Sequence, residues 1–284
     1  MFFSSSKNSN LHNKVVVITG ASSGLGEALA HAFYKCGCKL ILVSRRLTEL
    51  QRVKQALLDK HDNTITTFVP AIFTLDLTEI NSLPVEATKI VQIYGRIDIL
   101  INNAGVSYRG EVVDTQIDVD IKVMLINYFA QVAFTKAFLP TMLQQQSGEI
   151  VCISSVQGKM GIPMRSAYAA SKHALQAWCD STRAELHSKN INVCVICPGY
   201  IQTSLSLNAL TGNGETYGLM DATTAAGYSP EYVAEKVVKA VQRGEKEIVI
   251  APIMHRIAIL LRTLFPSVFF WLMKKRAESQ KKLL

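Results

Sequence analysis

The sequence predicts one α/β domain followed by a helical extension at the C-terminus. Three observations lead to this prediction. Lys14–Thr19 (KVVVIT) is a continuous β-branched run, which is typical of a strand buried on both faces. A glycine-rich turn and a helical stretch follow it directly, and strand-like and helical runs alternate from there to Ala251. No linker and no internal repeat divides the 284 residues, and 49% of them are hydrophobic, so we expect a single large core.

These observations divide the chain into three predicted parts. Residues 1–12 form a short tail, residues 13–251 the α/β domain, and residues 252–284 the helical extension. The tail contains no apolar stretch long enough for a signal peptide or a membrane-spanning helix. We therefore expect any membrane element at the other end of the chain.

Most of the positive charge lies in this extension. The formal net charge is +8, and residues 252–284 carry seven Lys and Arg against the single acid Glu278, which amounts to +6. Because the basic residues alternate with Phe, Trp and Leu, the extension is typical of a membrane-surface element rather than of a nucleic-acid site. We expect no nucleic-acid partner. The seven basic residues are Arg256, Arg262, Lys274, Lys275, Arg276, Lys281 and Lys282.

The length of the apolar segment limits what the extension can do. The longest uncharged run, Thr263–Met273, has eleven residues, about half of a bilayer span, and Pro266 interrupts it. We predict a pair of interfacial helices whose cationic flanks contact anionic lipid. Helices that close the substrate pocket are the alternative, and both could hold. Residues 281–284 (KKLL) also match a dilysine retrieval signal.

The six cysteines predict no chemistry of their own. Cys194 and Cys197 form a C-x-x-C within a strand-like run, where side chains three residues apart point to opposite faces. No second cysteine pair or histidine cluster completes a metal site. We predict reduced core cysteines, a reducing compartment and no bound metal.

The glycine-rich turn is a predicted phosphate site. Gly20, Gly24 and Gly26 lie in the turn and in the first turn of a helix that runs to about Tyr34. Gly20 permits a tight turn, and the other two glycines let backbone approach a ligand and a helix approach a strand. The N–H groups at the start of the helix would hold a pyrophosphate. Between a buried strand and an amphipathic helix, the spacing G-x-x-x-G-x-G indicates a nucleotide site.

The end of the next strand, Lys39–Val43, predicts which dinucleotide binds. Ser44, Arg45 and Arg46 stand where NAD-binding chains usually place an acid for the ribose 2′-hydroxyl. An acid would repel a 2′-phosphate, whereas arginine pairs with one through two hydrogen bonds. We therefore predict NADP(H). Two solvated arginines at the start of a helix over residues 47–60 are the alternative.

Two later strand ends supply further candidate contacts. Asp76 could cap the next helix or hydrogen-bond an adenine amino group. The strand Ile97–Ile101 leads into Asn-Asn-Ala-Gly at residues 102–105, and small residues at the carboxyl end of a central strand leave room for a flat cofactor. These four residues could equally form only a tight turn.

Asn127 lies inside a long helix predicted from about Val119 to Leu143. Asn is a poor helix former, and a buried Asn needs hydrogen-bond partners. Asn127 could bend the helix and hold a water molecule for a proton relay. A structural Asn with its bonds satisfied is the alternative.

The stretch from Ser154 to Leu175 carries the predicted chemistry. Tyr168 and Lys172 are four residues apart in a run of helix formers, so both side chains lie on one face, one turn apart. The Lys172 ammonium favours the phenolate and thereby lowers the pKa of Tyr168 from about 10, which suits a general acid–base. Ser155, at the end of the strand-like run before it, could hydrogen-bond a substrate oxygen. A helix with an incidental Tyr and Lys is the alternative.

The last part of the domain supplies a further candidate contact and a loop that could cover a substrate. Pro198 and Gly199 end a strand, and Thr203 could contact a carboxamide or a phosphate. Ser204–Gly227 is a long, poorly periodic loop of the kind that closes over a substrate. A helix that starts at Pro230 and a last strand (EIVIA) follow.

Together these motifs resemble the short-chain dehydrogenase/reductase family over about residues 12–250. The matching pieces, in the family's order and spacing, are TGASSGLG (19–26), NNAG (102–105), Asn127, Ser155, YAASK (168–172) and PGYIQT (198–203). The resemblance implies a doubly wound, parallel Rossmann-like sheet with helices on both faces. It implies a catalytic tetrad of Asn127, Ser155, Tyr168 and Lys172, with substrate bound by Ser155 and Tyr168. It implies cofactor contacts from Gly20, Ser22, Ser23, Gly24, Leu25, Gly26, Ser44, Arg45, Arg46, Asp76, Leu77, Asn103, Ala104, Gly105, Tyr168, Lys172, Pro198, Gly199, Ile201 and Thr203.

A closer likeness is to a membrane-associated group within that family, and it rests on GVSYRGEVVDT, QGKMGIPMRSAYAASKHA, PGYIQTSLSLNALT and LRTLFPSVFFWLM. Members typically carry an N-terminal hydrophobic anchor, which residues 1–12 do not contain. The likeness implies a homodimer and a place on endoplasmic-reticulum or peroxisomal membranes, or in the cytosol if the extension only covers the pocket. It implies NADPH-dependent reduction of a lipophilic carbonyl such as acyl- or alkyl-dihydroxyacetone phosphate. A hydroxysteroid or retinoid dehydrogenase and a catalytically silent dinucleotide-binding module are the alternatives, and the complete tetrad favours an enzyme.

Overall fold

A computed structural model describes residues 10–60 and 66–281, with side chains described as far as residue 279. Its strands are β1 (Val15–Thr19), β2 (Lys39–Ser44), β3 (Ala71–Thr74), β4 (Ile99–Asn102), β5 (Tyr108–Arg109), β6 (Gly148–Ile153), β7 (Ile191–Pro198), β8 (Leu210–Thr211) and β9 (Glu247–Ile250). Its α-helices are α1 (Gly24–Tyr34), α2 (Leu47–Asp59), α3 (Leu83–Tyr94), α4 (Ile117–Met124), α5 (Ala130–Gln145), α6 (Ser166–Leu186), α7 (Ala222–Ala225), α8 (Pro230–Arg243), α9 (Ile253–Leu264) and α10 (Pro266–Lys281). The first nine residues, which belong to the predicted N-terminal tail, lie outside the described residues. The same holds for the KKLL side chains, which form the predicted dilysine signal.

Seven strands form one parallel sheet in the order β3-β2-β1-β4-β6-β7-β9. The strand order reverses between β1 and β4, which confirms the predicted doubly wound topology. All five residues of β1 are buried, because helices cover both faces of the sheet. All seven strands end at one edge, and the crevice at the point of reversal is where ligands bind in such sheets.

Two helical layers cover the sheet. Helices α1, α2 and α8 pack on one face, and α3, α5 and α6 pack on the other. Cys194 belongs to the first core and Cys197 to the second, so the C-x-x-C side chains point to opposite faces as predicted. All six cysteines are free thiols, and five of them are buried.

The long helix predicted over residues 119–143 is interrupted at Asn127. Between α4 and α5 the chain forms one π-helical turn, Leu125–Phe129, and Asn127 is fully buried within it. A π-turn widens the helix locally and frequently marks a functional position. The structure thus confirms that the helix is irregular at this residue.

The segment Ser204–Gly227, predicted as a long and poorly periodic loop, contains a short strand that is tied to the core. Strand β8 pairs in parallel with β5, and the Leu210 N–H donates to the Ser107 carbonyl at 2.9 Å. Ser206 and Ala209 are buried. The sequence prediction was wrong at this point because two-residue strands are too short to show a hydrophobic period.

The C-terminal extension forms two helices, α9 and α10, and Pro266 begins the second of them as predicted. Phe269 is 2% exposed and packs against Val156 and Met160, in the segment just after Ser155. This packing is what the pocket-closing alternative predicts. Of the helices within residues 10–60 and 66–281, none combines the length and the apolarity needed to cross a bilayer.

Candidate active site

The glycine turn has the geometry expected of a phosphate cradle. Gly20 has a φ of +65°, and a Cβ built at Gly26 would lie 2.1 Å from the Gly20 carbonyl oxygen, so neither position accepts a side chain. Ser23 precedes α1, but its side chain does not cap the helix. The start of α1 therefore suits an anion. A Cβ at Gly24 would lie 3.1 Å from Thr203 Cγ2, which places Thr203 against this turn.

Arg46 lies on the glycine turn. Its Nη2 donates to Ser22 Oγ at 2.8 Å and to Ser23 Oγ at 2.9 Å. Ser44 is buried, and its Oγ accepts from the Arg46 N–H at 3.1 Å. The Arg45 side chain points elsewhere: it is 70% exposed. The two arginines are therefore not equivalent, and Arg46 is the one held beside the candidate phosphate site.

Asp76 is placed differently from the predicted helix cap. Its Oδ1 accepts hydrogen bonds from the N–H and the hydroxyl of Thr78 at 3.0 and 2.9 Å. Its other oxygen, Oδ2, lies 3.6 Å from Arg45 Nη1. Helix α3 begins only at Leu83, so Asp76 stabilises the turn before the helix and does not cap it. Leu77 packs as a half-buried residue on the core below.

The Asn-Asn-Ala-Gly segment is braced against the glycine turn. The N–H groups of Asn103 and Ala104 both donate to Thr19 Oγ1, at 2.9 and 3.0 Å, and Asn103 Nδ2 donates to the Thr19 carbonyl. A Cβ at Gly105 would lie 3.0 Å from Asn127 Oδ1 and 3.7 Å from Lys172 Nζ. The segment therefore joins the phosphate cradle to the residues of the predicted tetrad. Together these features fit a nicotinamide dinucleotide.

The four predicted tetrad residues come together in the fold. Asn127 Oδ1 accepts from the Val106 N–H at 2.8 Å, and its Nδ2 donates to the Val106 carbonyl at 2.9 Å. Lys172 Nζ donates to the Ile153 carbonyl at 2.8 Å and lies 5.7 Å from the centre of the Tyr168 ring. The Ser155 hydroxyl lies close enough to the Tyr168 hydroxyl to lower its pKa. The hydrogen bonds of the Asn127 amide are therefore satisfied, as expected of a structural residue. Asn127 also lies beside Lys172, as expected of a proton relay.

Burial dominates the titration of the two central groups. It lowers the pKa of Lys172 to about 8. Burial also raises the pKa of Tyr168, and the nearby Ser155 hydroxyl and the charges of Arg109 and Arg165 oppose that rise. The predicted lowering of the Tyr168 pKa was therefore wrong, because the burial of the phenol could not be read from local spacing.

Ser155 lies at the border between the sheet edge and the C-terminal helices. Its Oγ accepts from the Gln157 N–H at 3.1 Å and donates to the Pro198 carbonyl at 3.5 Å. A cavity beside it is also lined by Tyr200, His255 and Arg276. Arg276 Nη2 donates to Tyr200 Oη at 3.3 Å, so α10 reaches the site. Backbone hydrogen bonds hold the segment that follows Pro198. The Gly199 N–H donates to the Ile250 carbonyl, and the Thr203 N–H donates to the Ile201 carbonyl.

Sequence reasoning missed a buried ion pair next to Tyr168. Arg109 and Arg165 are each 8% exposed, and both contact the carboxylate of Asp221. Arg165 directly precedes the helix and lies three residues before Tyr168, and this spacing was a usable signal. Asp221 lies 112 residues from Arg109, and no local pattern connects the two.

Comparison with known proteins gives the family directly. The sequence profile described as short chain dehydrogenase matches residues 14–213. A "Dehydrogenase/reductase SDR family protein 7-like" from Anopheles gambiae is 57% identical over 269 residues, which are 95% of this chain and 84% of that protein. "Dehydrogenase/reductase SDR family member 7B" from Bos taurus is 48% identical over 96% of this chain and 84% of its own.

Solved structures agree with the fold. A short-chain dehydrogenase from Streptomyces avermitilis superposes with a TM-score of 0.74 at 26% identity, covering 95% of this chain and 99% of its own. A metagenomic short-chain oxidoreductase in complex with NADP gives 0.68 at 25% identity, covering 86% and 99%. A Burkholderia phymatum enzyme in complex with NAD gives 0.79 at 22% identity, covering 92% and 96%. With its parallel sheet, its glycine turn and these relatives, the chain belongs to the short-chain dehydrogenase/reductase family of oxidoreductases.

Proposed function

We propose that the protein reduces the carbonyl group of a lipophilic substrate to an alcohol with NADPH. The observation that carries this proposal is the buried cluster of Ser155, Tyr168 and Lys172 beside the glycine turn. A catalytically silent module would not need a buried lysine whose pKa is lowered to about 8 in contact range of a buried phenol.

The roles of the side chains follow from their contacts. The reduced nicotinamide supplies hydride to the carbonyl carbon when it is bound. Ser155 donates a hydrogen bond to the carbonyl oxygen, and Tyr168 gives its proton to the developing alkoxide. The Lys172 ammonium stabilises the phenolate that remains and then transfers a proton to it. Asn127, held by Val106, positions a water molecule that returns a proton to Lys172.

Arg46 is the proposed determinant of the NADPH preference, because it lies on the turn that would hold the phosphates. Replacing Arg46 by Ala should lower kcat/KM for NADPH by about 10- to 100-fold, the loss of one charge-assisted contact to a 2′-phosphate, and leave kcat/KM for NADH nearly unchanged. Initial rates with both cofactors measure this. Arg243→Ala, at the exposed end of α8, is the matched control. A wild-type enzyme that prefers NADH would contradict the proposed cofactor.

The substrate we propose is an acyl- or alkyl-dihydroxyacetone phosphate. The support is the similarity to dehydrogenase/reductase family member 7B sequences over nearly the whole chain, together with the partly apolar wall that α9 and α10 add beside Ser155. NADPH oxidation with this ketone, with steroids and with retinal tests it. If only a steroid or retinal is reduced, the proposed substrate is wrong but the proposed carbonyl reduction is still supported.

We also propose that α9 and α10 bind the surface of an endoplasmic-reticulum or peroxisomal membrane. The two helices pack on the core through Phe269, and many of their other large apolar residues are exposed. Lys275 Nζ lies 3.8 Å from the Trp271 ring centre, so a cation adjoins the apolar surface. The exposed apolar residues are Ile253, Met254, Ile257, Leu260, Leu264, Phe265, Val268, Phe270, Trp271 and Leu272.

Removing exposed apolar area from α9 and α10 should release the protein from vesicles. We expect Leu260→Ser/Leu264→Ser/Trp271→Ser to lower the vesicle-bound fraction by about 10-fold or more, since each side chain contributes about 1–3 kcal/mol on burial. Sedimentation with phosphatidylcholine/phosphatidylserine vesicles measures it. Val112→Ser/Val113→Ser removes equally exposed apolar side chains elsewhere. Equal binding of both variants and wild type would refute a specific membrane face.

Exposed apolar residues on α4 and the π-turn favour a homodimer. Ile117, Ile121 and Phe129 are 69%, 58% and 50% exposed. We propose that the long helices of two copies pack through this surface, which would remove these side chains from water.

A further inference from the structure

Two buried arginines share one carboxylate next to Tyr168. Asp221 Oδ2 accepts from Arg109 Nε at 2.8 Å, from Arg109 Nη2, and from Arg165 Nη2 at 3.4 Å. Two guanidinium groups and one carboxylate carry a net charge of +1. An excess charge in a buried site costs free energy unless another group pairs with it.

The two arginines differ in how many of their nitrogen atoms donate a hydrogen bond. Arg109 also donates to Ser107 Oγ and to the Tyr108 carbonyl, at 2.6 and 2.8 Å, so each of its three guanidinium nitrogens donates a hydrogen bond. Arg165 donates from Nη1 to the Met164 carbonyl at 2.9 Å. Its Nε is buried and has no partner among the described residues. Arg165 is therefore the one with a donor free for a ligand.

The two arginines lie close enough to Tyr168 to act on its hydroxyl group. Arg165 directly precedes α6, and Tyr168 follows it by one helical turn. Both guanidinium charges lower the pKa of Tyr168, so both act electrostatically on its hydroxyl. Burial and the charge of Arg109 lower the pKa of Arg165 to about 10, which is the effect of two like charges held close together out of water.

A purely structural role explains Arg109 better than Arg165. Arg109 connects β5 to Asp221 through two donors and thereby ties the Ser204–Gly227 segment to the domain. The contact of Arg165 with the same carboxylate is long, at 3.4 Å, and Asp221 is already paired without it. A surplus buried cation with an unpaired donor is the arrangement expected of an anion-binding residue.

We propose that Arg165, with the charge of Arg109 behind it, binds an anionic oxygen group of the substrate, a phosphate or a carboxylate. This inference rests on the proposed carbonyl reduction at Tyr168. It makes Arg165 a specificity-determining residue: the enzyme selects ketones that carry an acidic group within reach of the reacting carbonyl. A neutral ketone would leave the excess charge uncompensated and bind more weakly.

The test compares one ketone with and without its anionic group. We expect wild-type enzyme with NADPH to prefer 1-hexanoyl-dihydroxyacetone phosphate over 1-hexanoyl-dihydroxyacetone in kcat/KM. Arg165→Gln should lower kcat/KM for the phosphate by about 10- to 100-fold, the loss of one charge-assisted hydrogen bond, and change that for the neutral ketone less than about 3-fold. Arg165→Lys keeps the charge without the planar guanidinium group. Its kcat/KM for the phosphate should lie between those of wild type and Arg165→Gln.

A binding measurement separates the anion site from turnover. Octyl phosphate and octanoate should each be titrated calorimetrically, and the tighter of the two shows which acid the site takes. Arg165→Gln should weaken that affinity by a similar factor. Arg96→Gln, which removes an arginine paired with Asp98 at the opposite edge of the sheet, should leave it unchanged. Melting temperatures of both variants report whether they fold.

The outcomes separate the inference from the proposed function. Equal losses for the charged and neutral ketones in Arg165→Gln, or a wild-type preference for the neutral ketone, would overturn the anion site while carbonyl reduction stands. Failure of the wild type to reduce any carbonyl would overturn the proposed function. If Arg165→Gln does not fold, unchanged phosphate selectivity in Arg165→Lys would still overturn the inference.

Discussion

Phenylalanine at position 168 will lower the rate of carbonyl reduction by about 10²–10⁴-fold, the usual contribution of a general acid. The phenol is 8% exposed and the new ring has the same shape, so packing against Ala167 and Tyr108 is kept. What is lost is the hydroxyl group that donates the proton and that interacts with Ser155. Single-turnover NADPH oxidation measures the effect, and fluorescence titration should show NADPH affinity within about 3-fold of wild type.

Tyr94→Phe is the matched control for this variant. Its hydroxyl is also hydrogen-bonded, to the Val69 carbonyl at 3.3 Å, but it lies at the end of α3, away from the sheet edge that carries Tyr168. We expect unchanged turnover in this variant. Turnover of Tyr168→Phe at the wild-type rate would mean that the proton comes from another group, and the mechanism would fall.

Methionine at position 172 will lower turnover by about 10²–10³-fold, because the phenolate left on Tyr168 loses the positive charge that stabilises it. The stability of the protein should respond differently. The pKa of Lys172 is lowered to about 8, so folding with a charged Lys172 is unfavourable at neutral pH. We therefore expect the melting temperature of Lys172→Met at pH 7 to equal or exceed that of wild type, despite the lost bond to Ile153.

The same lysine gives the reaction a pH dependence. Below about pH 8 Lys172 is an ammonium, and above it the amine is neutral, so the wild-type reduction rate should fall as pH rises from 8 to 10. Between pH 8 and the ordinary lysine pKa near 10.5, the unfolded chain holds more protons than the folded one, so the free energy of unfolding should rise. Lys172→Met should show neither change. A wild-type rate that stays constant to pH 10 would remove Lys172 from the proton step.

Sequence alone predicted those parts of the fold that repeat a strong local pattern. The buried run before Gly20 and the Pro230 helix are long enough to show their period, and their positions are confirmed. The pairing of β5 with β8 was missed, because two-residue strands have no period and their partners are about a hundred residues apart. The helix bounds failed at Asn127, where buried hydrogen bonds to Val106 stabilise a π-turn that helix propensity cannot predict.

Motif spacing predicted which residues meet in the candidate site, whereas their packing determined the direction of the pKa shifts. The motif positions brought Asn127 and Lys172 to one place, yet the sign of the Tyr168 pKa shift depended on burial. Arg45 and Arg46 are adjacent in sequence, and only the structure separates the one on the glycine turn from the one facing solvent. The spacing of Arg165 from Tyr168 was visible in the sequence, but its contact with Asp221, a residue of the Ser204–Gly227 segment, was not.

The pairing of β5 with β8 has a kinetic consequence. Because the Leu210 amide bonds to the Ser107 carbonyl, the Ser204–Gly227 segment cannot swing outward without breaking that bond. Deuterium uptake at Leu210 therefore reports how often the segment opens. If alcohol leaves by this route, the opening frequency sets the upper limit on how many molecules one enzyme can process each second, however fast hydride moves.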